Sequence, residues 1–172
     1  ILGDIGNSET KVYLANTKNI IIRNIIFPSK KITNKNLNQK FRYLVKDFSS
    51  IKKILFCSVV PESFKLIKKF LSKNLKKKCY EVKELKLRSL INIKVNFKQV
   101  GSDRLTNAIS LLNNKDNFII LDFGTATTFD VITQKTYRGG IIAPGIKISL
   151  NTLSDKATLI PKINLKKIKK VI

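Results

Sequence analysis

The 172-residue chain contains no histidine, no methionine and no tryptophan, and only two cysteines, four prolines and seven glycines. Without histidine there are no imidazole bases, no Ser-His or Cys-His nucleophile pairs and no His-ligated metals. Catalysis is left to carboxylates, hydroxyls, lysines and arginines. Cys57 and Cys79 stand far apart and form no C-x-x-C pair. They read as two free thiols in a reducing compartment, which predicts a cytoplasmic protein. The lack of methionine even at position 1 leads us to expect a processed or trimmed chain. No apolar run approaches the ~20 residues of a membrane span, and the opening residues lack the charged, apolar and small-residue order of a signal peptide. A membrane partner is not expected.

Acidic residues are also few: Asp and Glu total 11 against 34 Lys and Arg, for a formal net charge of +23. Such a balance attracts nucleic acid, anionic membrane or phosphorylated small molecules. The basic residues are scattered, however, as in "LIKKFLSKNLKKKCY" and "INLKKIKKVI", and Lys, Ile and Asn crowd every segment. That distribution fits compositional drift, and nucleic acid is not expected as a primary partner.

"ILGDIG", "KVYLAN" and "NIIIRNIIF" read as three short strands joined by tight turns. "NKNLNQKFRYLVKDF" sets Leu37, Phe41, Leu44, Val45 and Phe48 at helical spacing. "KKILFCSVV" has the unbroken apolar character of a strand buried on both faces. Pro61-Glu62 opens a helix whose buried stripe is Phe64, Ile67, Phe70, Leu71 and Leu75. A strand at "KCYEVKEL" and a loop of unsettled course through "RSLINIKVNFKQV" follow. Gly101-Ser102-Asp103 starts a helix bearing Leu105, Ala108, Ile109 and Leu112, which "NNKDN" ends. The pattern then restarts: "NFIILDFG", "ATTFDVIT" and "TYRGGIIAP" are strands, and "GIKISLNTLSDKA" is a helix. Each half reads as a mixed sheet with a leading meander, the first over 1–115 and the second over 116–172.

The restart extends to single residues. Asp4 matches Asp122, Gly6 matches Gly124, Asn7 matches Thr125 and Thr10 matches Thr128, each Asp after an apolar strand and each Gly opening a turn. Matched motifs in matched element order point to a structural duplication. Each D-x-G has two uses. The Asp can cap its own turn while Gly supplies a positive φ. Alternatively, Gly lets backbone N–H groups approach a phosphate while Asp holds a cation beside it. Two such motifs facing one another would make a phosphate clamp, with Asn7, Ser8, Thr10, Lys11 and the hydroxyls of Thr125, Thr127 and Thr128 as donors.

"VGSDRLTNA" is a further constellation, in which Ser102 or Asp103 can cap the helix and Arg104 follows. The plain reading is a capped helix with a solvated Arg. The functional reading makes Asp103 a base and Arg104 a bidentate carboxylate anchor. In "YRGGIIAPGIKISL", Gly139-Gly140 permits close backbone approach and Pro144-Gly145 sets a helix N-terminus where an anion could bind. A strand bulge and an ordinary turn are the plain alternatives.

Together, "DIGNSETK", "GSDR", "DFGTATTFD" and "GGIIAPGIKISLNTLSDKATLIP" resemble type III pantothenate kinases, of the acetate-and-sugar-kinase/Hsp70/actin superfamily. The resemblance implies an α/β fold of two ribonuclease H-like domains with mixed sheets, the second incomplete here. It implies an enzyme that phosphorylates pantothenate with ATP to 4′-phosphopantothenate, the first step toward coenzyme A. ATP would be bound by Asp4, Ile5, Gly6, Asn7, Ser8, Glu9, Thr10, Lys11 and Thr125, with Asp4 near Mg²⁺. Pantothenate would be bound by Gly101, Ser102, Asp103 and Arg104, with Asp103 as proton acceptor. Asp122 would bind a monovalent cation, K⁺ or NH₄⁺, and the protein would be a homodimer. Two positions depart from the family pattern: Lys94 replaces a substrate-contacting Tyr and Phe97 replaces a Pro, while Asn96 fits. The chain is also expected to stop short of a further substrate-contacting Thr and the rest of the second domain, so that either further residues belong to the protein or the fragment by itself would not be active. The alternative is a non-catalytic nucleotide- or nucleic-acid-binding descendant, since relatives have also been assigned as transcriptional accessory factors. Asp4, Asp103, Arg104 and Asp122 discriminate, because a degenerate binder need not keep all four.

Overall fold

A computed structural model describes residues 1–45, 48–112, 116–157 and 159–161. The expected meander is present as β1 (Leu2–Ile5), β2 (Glu9–Ala15) and β3 (Ile21–Pro28). Asn16 shapes the second turn: its side-chain oxygen accepts the N–H groups of Lys18 and Ile20 at 2.9 and 3.0 Å. Asn19 takes a left-handed φ of 60°, which Asn tolerates. Helix α1 (Asn34–Leu44) begins at Thr33, whose hydroxyl accepts the Asn36 N–H at 3.2 Å. Leu37, Phe41 and Leu44 form its buried stripe and Val45 at the C-cap extends it. The side chain of Phe48, expected to continue that stripe, lies outside the described residues.

Strand β4 (Ile54–Ser58) pairs in parallel with β1 on one side and β5 (Cys79–Glu81) on the other, giving the sheet order β3-β2-β1-β4-β5. It is buried on both faces, as its unbroken apolar run predicts. Ile54 and Phe56 enter a core shared with α1 and α2 (Pro61–Leu75), while Leu55 and Cys57 face a second core on the other side. Pro61 occupies the first turn of α2, and Phe64, Ile67, Phe70, Leu71 and Leu75 are all buried.

The second sheet has the order β6-β9-β8-β7. Strands β7 (Phe118–Phe123), β8 (Ala126–Thr133) and β9 (Thr136–Pro144) form the second meander, and α4 (Ile146–Lys156) follows. Strand β6 (Asn92–Ile93) comes from the stretch expected as loop and pairs in parallel with β9. Neighbouring Ile91 is buried in the second core, which draws this part of the first half onto the second sheet. Helix α3 (Ser102–Ser110) lies between the sheets, touching β4 and β8 and burying Leu105 and Ala108. The expected stop after it falls partly on 113–115, and with 162–172 and the division at 115 it lies outside the described residues. Among the described residues, no helix is long and apolar enough to cross a membrane.

The duplicated motifs sit in equivalent hairpins with one offset. Asp4 pairs across to Lys11, whereas Asp122 pairs across to Thr128. The first loop is therefore one residue longer, and Lys11 stands where Thr128 stands in the second hairpin.

Candidate active site

Asp4 is the penultimate residue of β1, and the loop that follows the strand is tied down from behind. The Gly6 N–H donates to the Glu9 carbonyl at 3.0 Å, and the Ser29 hydroxyl donates to the Gly6 carbonyl at 2.6 Å. The Thr10 hydroxyl lies 2.9 Å from the Ser29 hydroxyl. Because the Ser29 proton goes to Gly6, Thr10 is the donor. Thr10 is fully buried, so its side chain braces the loop through Ser29 and does not face the cleft. Ile5 is likewise buried and offers only its backbone there. Asn7, Ser8 and Glu9 are exposed.

The second loop meets the first directly: the Ser8 and Thr125 hydroxyls are 3.0 Å apart. Gly124 donates its N–H to the Ala126 carbonyl at 2.9 Å, and Gly145 donates to the Thr125 carbonyl at 3.1 Å. A Cβ on Gly145 would lie 2.3 Å from the Gly124 carbonyl oxygen, so the N-terminus of α4 reaches this loop only through glycine. From α3, the Asn107 amide donates to Asp122 Oδ2 at 3.2 Å.

The entrance of α3 differs from the expected cap. Gly101 is the N-cap and receives no side-chain bond, because Ser102 and Asp103 already lie inside the first turn. Ser102 is buried, and Asp103 Oδ1 accepts the Arg104 N–H at 2.8 Å. The three carboxylates nevertheless share one field. The pKa of Asp4 is raised, first by partial burial and further by the charges of Asp103 and Asp122, with Lys11 opposing. Among the described residues, no three His, Cys, Asp or Glu side chains are close enough to chelate a metal alone. A cation here would have to share its shell with ligand oxygens.

Arg104 is largely buried and turned toward β8. Its Nε and Nη2 lie 2.8 and 2.6 Å from Asp130 Oδ1, and the Tyr137 hydroxyl donates to the same oxygen at 2.5 Å. Burial works against its charge, but the bond and charge of Asp130 outweigh that and raise the Arg104 pKa. Beside Gly101 and Ser102 opens a cavity of about 550 Å³ with Val59, Pro61 and Phe64 among its apolar lining and Lys83 at its wall.

The type III pantothenate kinase family model matches residues 1–172. The chain is 62% identical over 172 residues to the type III pantothenate kinase of Pelagibacter ubique, covering all of this chain and 69% of that protein. This chain belongs to the type III pantothenate kinase family. It is also 34% identical to the Desulforapulum autotrophicum member over 94% of this chain and 64% of that one. The chain thus spans about two thirds of the length of the curated family members it matches. Two solved structures share its fold, each at a TM-score of 0.52. A Baf-family protein from Campylobacter jejuni is 19% identical, covering 99% of this chain and 68% of that one. The ethanolamine utilization protein EutJ from Carboxydothermus hydrogenoformans is 12% identical, covering 94% and 57%. The likeness to these two structures is one of mixed α/β fold.

In this type III pantothenate kinase chain, several supporting residues carried no sequence motif. Lys83 donates to the carbonyls of Lys98 and Val100 at 3.2 and 2.9 Å, pinning the segment that leads into Gly101. Phe97, the departure from the family's Pro, lies 5.1 Å from the Lys83 ammonium and 5.7 Å from the Arg88 guanidinium. Two cations on one ring restrain a segment whose φ proline would have fixed. Lys94, in place of the family's Tyr, is exposed, and its backbone N–H donates to the Tyr137 carbonyl at 3.0 Å. Asp130 did leave a trace: in the alternation of "ATTFDVIT" it falls in phase with buried Ile132, an acid on the inward face.

Proposed function

We propose that this protein transfers the γ-phosphoryl group of ATP to the primary hydroxyl of pantothenate, giving 4′-phosphopantothenate for coenzyme A synthesis. The observation that carries this reading is the meeting of the two D-x-G loops beside Asp4 and Asp122, with Asn107 of α3, the helix that also bears Asp103, bonded to Asp122. The two loops touch through Ser8 and Thr125.

In this reading Asp103 accepts the hydroxyl proton. A carboxylate is a weak base, but it suffices where the transition state is loose and attack needs little prior deprotonation. The backbone N–H groups of Asn7 and Ser8, with Lys11 and Thr125, orient the triphosphate. Gly101, Ser102 and Arg104 hold pantothenate, whose amide-containing chain suits the apolar recess beside Gly101. Crowded carboxylates opposed by one lysine fit hard cations: Asp4 would hold Mg²⁺ and Asp122 K⁺ or NH₄⁺. When bound, these ions neutralise charge on the phosphoryl oxygens. We assign the protein to the cytoplasm, which agrees with two free, buried cysteines, and infer a homodimer from its family.

The test is pantothenate-dependent ATP consumption by the full-length protein with Mg²⁺ and K⁺. No turnover, together with DNA binding at physiological salt, would favour the non-catalytic alternative.

A further inference from the structure

We infer that Asp130 and Tyr137 are positioning residues for pantothenate, acting through Arg104. This rests on the pantothenate-kinase reading above. Two hydrogen bonds and an ion-pair contact converge on one oxygen of a fully buried carboxylate: Arg104 Nε donates at 2.8 Å and the Tyr137 hydroxyl at 2.5 Å, while Arg104 Nη2 lies 2.6 Å away without hydrogen-bond geometry. Nε and Nη2 define the side-on edge of the guanidinium, so that edge is spent on Asp130. Nη2 is buried beside it, which leaves Nη1 as the guanidinium nitrogen that can meet a ligand carboxylate.

A guanidinium tethered along one edge keeps its plane, and a planar fork fixed in advance loses little freedom when it binds. Tyr137 fixes the carboxylate in turn, and the Tyr137 ring is itself fully buried between the sheets. Gly140 completes the arrangement. A Cβ there would lie 2.6 Å from Arg104 Nη2 and 2.9 Å from Asp130 Oδ1, so glycine at this point leaves the space in which the pair meets. The network also senses the base, since the charge of Asp103 bears on both Arg104 and Tyr137. Strands β8 and β9 therefore set the aim of an arginine that α3 carries.

The test uses the full-length enzyme and compares the KM for pantothenate with the KM for ATP. Asp130→Asn should raise the pantothenate KM by about tenfold or more, the worth of a charge-assisted hydrogen bond, with the ATP KM within about twofold. Tyr137→Phe, which keeps the ring, should shift the same constant in the same direction by a few-fold, and it decides the matter if Asp130→Asn fails to fold. In an Arg104→Gln background, Asp130→Asn should add nothing further. Equal losses for both substrates, unchanged constants, or full additivity with Arg104→Gln would overturn the positioning role while leaving the kinase reading intact. A wild type that binds ATP but neither binds nor turns over pantothenate overturns both.

Discussion

Gly140→Ala puts the packing between the sheets to a direct test. The added methyl would lie 1.9 Å from the Phe129 carbonyl oxygen as well as against Arg104 and Asp130. That oxygen belongs to the β8–β9 ladder, where Asp130 is registered opposite Gly140, so it cannot swing aside as a side-chain tip could. Relief needs the ladder to part or the buried ion pair to shift. Overpacking alone costs about 1–3 kcal/mol, and disturbing a buried pair adds to it, while reduced unfolded-state entropy returns about 0.4–1 kcal/mol. We expect a net loss of about 3 kcal/mol, which at this chain length lowers Tm by roughly 6–12 °C. Gly124→Ala is the control, since its nearest obstacle would be the Ala126 carbonyl at an ordinary 3.6 Å. Urea and thermal melts of both variants decide the point. A Gly140→Ala protein as stable as wild type would refute the stated packing.

Two further predictions follow from ionisation. Folding raises the pKa of Asp4, so the folded state favours its protonated form. The stability this gives is present below the unfolded-state value of about 3.9 and is lost as pH rises through the folded value. Asp4→Asn should therefore stabilise the ligand-free protein near neutral pH, with the gain fading in acid, while activity collapses; melts across pH that show Asp4→Asn less stable at neutrality would contradict this. Burial pushes the Cys57 and Cys79 thiols up to about 12 each, opposed by Thr106 and Lys68 respectively. Both should resist iodoacetamide at mildly alkaline pH, roughly 10³-fold below a free thiol, and react once urea unfolds the chain; fast native alkylation would refute their burial.

The local elements were legible in the sequence because each carries its own period. The α2 stripe from Phe64 to Leu75 and the two-sided burial of β4 follow directly from apolar spacing. So do both meanders and the two D-x-G loops. What sequence spacing could not convey was pairing between distant segments. Strand β6 is two residues long, too short for any period, and its place beside β9 depends on Ile91 finding the second core. Thr10 and Lys11 are neighbours whose faces alternate, and a one-residue difference in loop length decides which of them stands opposite the Asp. Arg104 next to Asp103 suggested a ligand contact, but its partner Asp130 is 26 residues away, on a strand of the second sheet. Only the folded chain brings the two together.

The most direct measurement is the turnover number of the full-length protein and its Asp103→Asn variant, with saturating ATP, pantothenate, Mg²⁺ and K⁺. A positioned general base contributes about 10²–10⁴-fold, so the variant should lose at least about 10²-fold in kcat while still binding ATP. Turnover in Asp103→Asn equal to wild type would contradict the assignment of the base and, with it, the reading of the cleft.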